Sequence, residues 1–132
     1  MVNTRRPSDC PFCHIDDNHK CFQDDLVFTI KDGFPISPGH TLIIPKRHIP
    51  SLFEATDEEH KALLRALQAA KVELGQQYAP DGYNIGINDG LAAGQTVMHL
   101  HIHLIPRYNG DCIDPRGGVR WIFPDKAVYW KD

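Results

Sequence analysis

A chain of 132 residues with ordinary apolar and charged content is long enough for one hydrophobic core and matches the size of a single domain. Its net charge of −3 argues against a nucleic-acid coat protein or a membrane-surface binder, both of which need an excess of Lys and Arg. No run of about 18 apolar residues could cross a bilayer, and Met1–Pro7 lacks the apolar core of a secretory leader, so a cytoplasmic setting is expected. Residues 1–9 are polar and expected to be flexible. Leu26–Ile30 predicts a strand, and the loop after it is punctuated by two prolines and two glycines. Thr41–Pro45 predicts a second strand, stopped by its proline. Thr56-Asp57-Glu58-Glu59 is a capping box that opens a helix, with Leu63, Leu67, Ala70 and Leu74 on one face and an end near Tyr78, before Pro80. Strands follow at 83–88 and 98–105. Residues 109–132 are expected to form an extended tail packing on the domain. Strands around one long helix indicate the α+β class, an antiparallel sheet with its helix on one face. Such a sheet leaves an edge that a partner subunit commonly covers.

Eight histidines in so short a chain are the unusual feature. Alternation on a strand would put His99, His101 and His103 on one face and Leu100, Ile102 and Leu104 on the other. A plain polar outer face is the bland account, but such faces favour Thr, Lys and Glu. One ion held by all three is resisted by geometry, because Cα atoms four residues apart on a strand stand roughly 13 Å from each other. Nucleophilic catalysis fits better. A neutral imidazole attacks phosphorus, and water readily cleaves the phosphoramidate that forms.

The run from Gly94 to Ile105, with its His99-Leu100-His101-Ile102-His103 centre, resembles the signature of the histidine triad (HIT) family of nucleotide hydrolases and transferases. The block Pro38-Gly39-His40-Thr41-Leu42-Ile43-Ile44-Pro45-Lys46-Arg47-His48 is similar to a second block of that family. The resemblance spans about residues 10–108, taken as the HIT domain, and implies a HIT-like fold of about five antiparallel strands with one long helix, forming a homodimer. It implies His101 as nucleophile, His103 on the α-phosphate and His40 as the histidine that orients the nucleophile. Asn88, Gln95 and Thr96 match positions that contact the phosphate or leaving group, and Asp32 matches the ribose-binding position. A loop aspartate and an Asn-Asp-Gly sequence are also plain turn formers. His103, where transferase branches commonly carry glutamine, points to a hydrolase.

Cys10-Pro11-Phe12-Cys13 has the spacing of a zinc half-site, although a lone pair of this kind also suits redox chemistry. The resemblance implies that His48 and His99 complete a structural zinc site with Cys10 and Cys13. His14 and Cys21 are nearby competitors, and Cys21 and Cys112 read as small buried residues. The segment after the triad resembles the dinucleoside polyphosphate hydrolase branch, where Arg107, Arg116 and Arg120 would grip a phosphate chain and Trp121 or Trp130 would stack on a base. Magnesium would accompany such a substrate. Phe12, Phe28, Ile30 and Leu42 read either as a base pocket or as core. A nucleoside phosphoramidase, a nucleotidyltransferase and a non-catalytic nucleotide-binding zinc module are the alternatives.

Overall fold

Residues 7–131 are described in the computed structural model, so most of the expected flexible segment 1–9 lies outside the described residues. A two-residue strand β1 (Phe22–Gln23) precedes β2 (Val27–Lys31) and β3 (Thr41–Pro45). β2 and β3 form an antiparallel pair from Val27↔Pro45 to Lys31↔Thr41. The helix α1 covers Asp57–Tyr78, followed by β4 (Gly82–Gly86) and β5 (Ile102–Arg107). All neighbours are antiparallel and the order is β1-β2-β3-β5-β4, which leaves β1 and β4 at the edges.

Both halves of the expected capping box form. Glu59 N–H donates to Thr56 Oγ1 at 3.1 Å, and Thr56 N–H donates to Glu59 Oε1 at 2.8 Å. Arg47 adds two hydrogen bonds to the same carboxylate, at 2.8 and 3.1 Å, and so ties the start of α1 to the segment after β3. The helix buries Ala62, Leu63, Ala66, Ala70 and Leu74 against Val27, Ile43, Leu100, Ile102 and Leu104. It ends at Ala79, which adopts the left-handed conformation at φ 48° before Pro80. None of the described helices is long and apolar enough to cross a membrane.

The opposite face of the sheet carries a smaller cluster of Phe28, Ile30, Leu42 and Ile44, with Phe12 and Ile15 packed against it. His103 pairs with Leu42 across β3 and β5 and thus belongs to this second face. The segment expected as one strand over 98–105 is paired only from Ile102 onward. The next ladder positions would fall opposite Ile44 and Pro45, and Pro45 has no N–H to give. Leu100 N–H turns instead to Ile49 O, at 2.7 Å. The side chains still alternate: Leu100, Ile102 and Leu104 enter the helix-side core, and the histidines face the other way.

The tail is more ordered than an extended segment. Gly118–Ile122 forms a 3-10 turn and Pro124–Ala127 a short helix, α2. The three arginines expected to grip a phosphate chain have partners within the fold. Arg107 pairs with Asp111 and Asn84, Arg116 with Asp114 and the Trp130 ring, and Arg120 with two carbonyls and the Tyr129 ring. Trp121 donates to Arg116 O. Cys21 and Cys112, expected to be buried, are exposed.

Candidate active site and metal centre

His101 lies just before β5, 9% exposed, and the rings of Phe12 and His103 are each centred 5.1 Å from its own. Its Nδ1 is 2.9 Å from the carbonyl of His99. A carbonyl only accepts, so Nδ1 carries a proton, and the lone pair of the neutral form is the one at Nε2. That is the tautomer a nucleophile needs.

The loop between β2 and β3 brings His40 to His103. Ile36 N–H donates to His40 Nδ1 at 3.2 Å, which leaves the His40 proton on Nε2. That Nε2–H lies 2.9 Å from His103 Nδ1 and 3.3 Å from Asp32 Oδ2. With His103 Nδ1 accepting, the His103 proton sits on Nε2. The order of donation is therefore fixed by one backbone amide and runs from Ile36 through His40 to His103. Burial, against the opposing pull of Asp32, lowers the His40 pKa. Burial, with smaller contributions from His101 and His40, lowers that of His103. Both shifts favour the neutral rings that this order of donation requires.

Asp32 acts both as turn former and as a member of the site. One carboxylate oxygen accepts from Phe34 N–H at 2.8 Å and the other faces His40 and His103. The Gln95 side chain, expected at the phosphate or leaving group, is engaged within the fold. Its buried amide donates to Pro50 O and Val97 O, and its oxygen accepts from Gly90 N–H. It braces the connection between β4 and β5. Asn88 and Thr96 are exposed on that connection, and neither hydrogen-bonds to the histidine cluster among the described residues.

Cys10, Cys13, His48 and His99 come together in a second cluster. A 3-10 turn over Pro11–His14 places Cys10 and Cys13 on one side. His99 Nε2–H donates to Pro45 O at 2.7 Å, so its Nδ1 is a bare lone pair, and it lies 3.4 and 3.5 Å from the two sulfurs. His48 Nδ1 is 3.1 Å from His99 Nδ1 and 3.3 Å from the Cys13 sulfur. Tetrahedral zinc with nitrogen and sulfur ligands sets its ligand atoms roughly 3.3–3.7 Å apart. The donor set and spacing fit zinc, and burial lowers the His99 pKa to about 4, which favours the uncharged ring with its lone pair at Nδ1. His14 is excluded as a ligand, since its ring nitrogen is exposed and bonded to Pro7 O.

Asp32, His40 and His103 also bring three donor atoms within 4.8 Å of one another. Their chemistry differs. His40 Nε2 carries its proton because Nδ1 already accepts from Ile36, so it presents an N–H where a metal needs a lone pair. This cluster is a hydrogen-bonded relay. Neither cluster is the oxygen-rich shell that magnesium prefers.

The groups that sequence reasoning missed are backbone atoms: Ile36 N–H, His99 O and Pro45 O. No residue type announces a hydrogen bond from a main chain.

The HIT domain model matches residues 15–110. Adenylylsulfatase HINT3 of Arabidopsis thaliana is 37% identical over 110 residues; the match covers 80% of this chain and 56% of that protein, so the chain spans little more than half of this relative's length. Protein hit of Bacillus subtilis is 38% identical, with 75% and 71% covered. Among solved structures, a zinc-bound histidine triad family protein from Mycobacterium smegmatis superposes with a TM-score of 0.72 at 36% identity, covering 80% of each chain. Family model, sequence relatives and fold agree, and the chain belongs to the HIT domain family.

Proposed function

We propose that the chain is a nucleotide hydrolase that breaks a bond at the α-phosphate through a nucleotidyl intermediate on His101. The observation that carries this reading is the protonation pattern: an open lone pair at His101 Nε2 beside a relay that leaves a donor on His103. In the first step a bond forms between His101 Nε2 and phosphorus while the bond to the leaving group breaks, and the leaving group takes a proton from solvent. A water oxygen then bonds to phosphorus as the N–P bond breaks and its electron pair returns to Nε2; the water's proton passes to solvent and the mononucleotide is released. His103 Nε2–H donates to a phosphate oxygen, and His40 holds His103 in the tautomer that can do so. Asp32 is assigned to the ribose hydroxyls, and Asn88 and Thr96 to the phosphate or leaving group. Zinc at Cys10, Cys13, His48 and His99 is structural, and its thiolate ligands suit a reducing cytoplasm. Magnesium would arrive only with a polyphosphate substrate. A homodimer through edge strand β4 would cover Ile85, which is 49% exposed there.

A dinucleoside polyphosphate such as diadenosine tetraphosphate is the first candidate substrate. The internal pairing of Arg107, Arg116 and Arg120 removes the tail's support for a long phosphate chain. A compact leaving group is a second reading, favoured by the name of the Arabidopsis relative, an adenylylsulfatase. Incubation with diadenosine tetraphosphate, an adenosine phosphoramidate and adenosine phosphosulfate, with His101→Asn as control, tests both. Turnover of any of them that the variant lacks supports the hydrolase, and the ranking identifies the leaving group. Nucleotide binding without turnover would instead support a non-catalytic module.

A further inference from the structure

We propose that the metal loop also positions the nucleophile, with Phe12 as the positioning residue. The inference rests on the reading of His101 as nucleophile. Phe12 stands between the two cysteine ligands, so its backbone is held wherever Cys10 and Cys13 are held. Its ring meets His101 at 5.1 Å and 72°, and His99 at 5.9 Å and 82°, both edge-on. His101 also meets the His103 ring at 5.1 Å and 66°. The imidazole is thereby in contact with two rings.

These contacts matter because the His101 tautomer depends on a single hydrogen bond. If the ring turned over, Nδ1 would leave the His99 carbonyl and the lone pair at Nε2 would point elsewhere. Small departures from a near-attack geometry cost large factors in rate. The metal cluster controls both supports of that hydrogen bond. It holds the acceptor, because His99 is itself a ligand and its carbonyl receives the His101 proton. It also holds the donor ring, through the wall that Phe12 makes. Phe12 further packs on Phe28, Ile30, Leu42 and Ile44, which anchors the wall to the sheet.

A simple floor for the nucleoside would give Phe12 a different signature, since losing it would raise KM and leave kcat alone. The test uses the full-length, zinc-loaded protein with ¹⁵N-labelled histidine. Nuclear magnetic resonance reads the His101 tautomer without any substrate, and kinetics on an adenosine phosphoramidate run beside it. The wild type is expected to show His101 as one species protonated at Nδ1. With zinc retained, Phe12→Ala is expected to give a mixture of tautomers, a kcat about tenfold lower and a KM within about twofold. Phe12→Leu should fall between the two, and it decides the matter if the alanine variant fails to fold or to hold zinc. Chelation of zinc from the wild type should mix the tautomers as well. A single Nδ1–H species in the zinc-loaded variants, or in the zinc-free wild type, would overturn the proposal. So would a rise in KM alone. If the wild type turns over no nucleotide, the hydrolase reading fails, and the tautomer measurement still decides whether Phe12 positions His101.

Discussion

Glu59 is 3% exposed and accepts three hydrogen bonds, two from Arg47 and one from Thr56 N–H. Replacing it by alanine removes a helix cap worth about 1 kcal/mol and a bidentate, charge-assisted contact worth about 2 kcal/mol. The Arg47 side chain is 19% exposed and can rehydrate, so the loss stays near the low end of the ~3–5 kcal/mol typical of a broken buried pair. The expected destabilisation is about 3 kcal/mol, a fall in Tm of roughly 10 °C for a chain of this size. Glu59→Gln keeps the shape, loses the charge and should cost about 2 kcal/mol. Acidity supplies an independent check. Burial pushes the Glu59 carboxyl up, but the Arg47 and Thr56 hydrogen bonds outweigh it and hold the pKa below its ordinary value. The unfolded chain therefore binds the proton more tightly. The stabilisation is complete above the unfolded pKa of about 4.3 and is lost as pH falls through the lower folded value. Thermal unfolding followed by circular dichroism should show a constant gap between wild type and Glu59→Gln from pH 8 to pH 5, closing toward pH 3. A gap under about 1 kcal/mol at pH 7, or one that widens on acidification, would refute this reasoning.

Gly39 has φ +90°, and a Cβ there would lie 2.9 Å from Leu74 and 3.3 Å from Pro106. Gly39→Ala should cost about 2–3 kcal/mol in urea unfolding and also slow turnover by displacing His40. Ala79 pays for a left-handed conformation at the end of α1, so Ala79→Gly should raise stability by about 1 kcal/mol, with activity unchanged. The lowered pKa values of His40 and His103, caused first by burial, place their titration midpoints below the usual ~6.5; ring-proton resonances followed from pH 8 to pH 4 should show this, and midpoints at or above that value would contradict the neutral relay.

What could be read from the sequence was whatever is encoded by neighbours. The capping box at Thr56 and the run Thr41–Pro45 appear where expected, because each depends on contacts within a few residues. The strand at 98–105 was legible in its alternation but not in its start, which depends on Pro45 lying opposite it, some fifty residues earlier. The tail's short turns depend on Gly117 and Gly118 packing near Trp130 and Asn84, and no local period announces that. Within the site, alternation and spacing pointed to His99, His101 and His103 and to Cys10 and Cys13, while His40 and His48 entered only through the resemblance to the family. The direction of the relay and the bracing role of Gln95 did not follow from them, because both rest on main-chain atoms brought together by the fold.

Pro45 divides the histidine segment 98–101 from the paired sheet. Past Ile102 the chain is zipped to β3 and β4, whereas residues 98–101 attach to the β3 side through Leu100 N–H on Ile49 and the His99 ring on Pro45. The proposed nucleophile His101 thus rides on a short docked span, and its amides should exchange with solvent through a smaller opening than those of β5. In the proposed cycle the His101 ring nitrogen is alternately bare and bonded to phosphorus, so the ring must travel to form and release that bond. A span docked outside the ladder can take up that travel while the sheet beneath it stays in register.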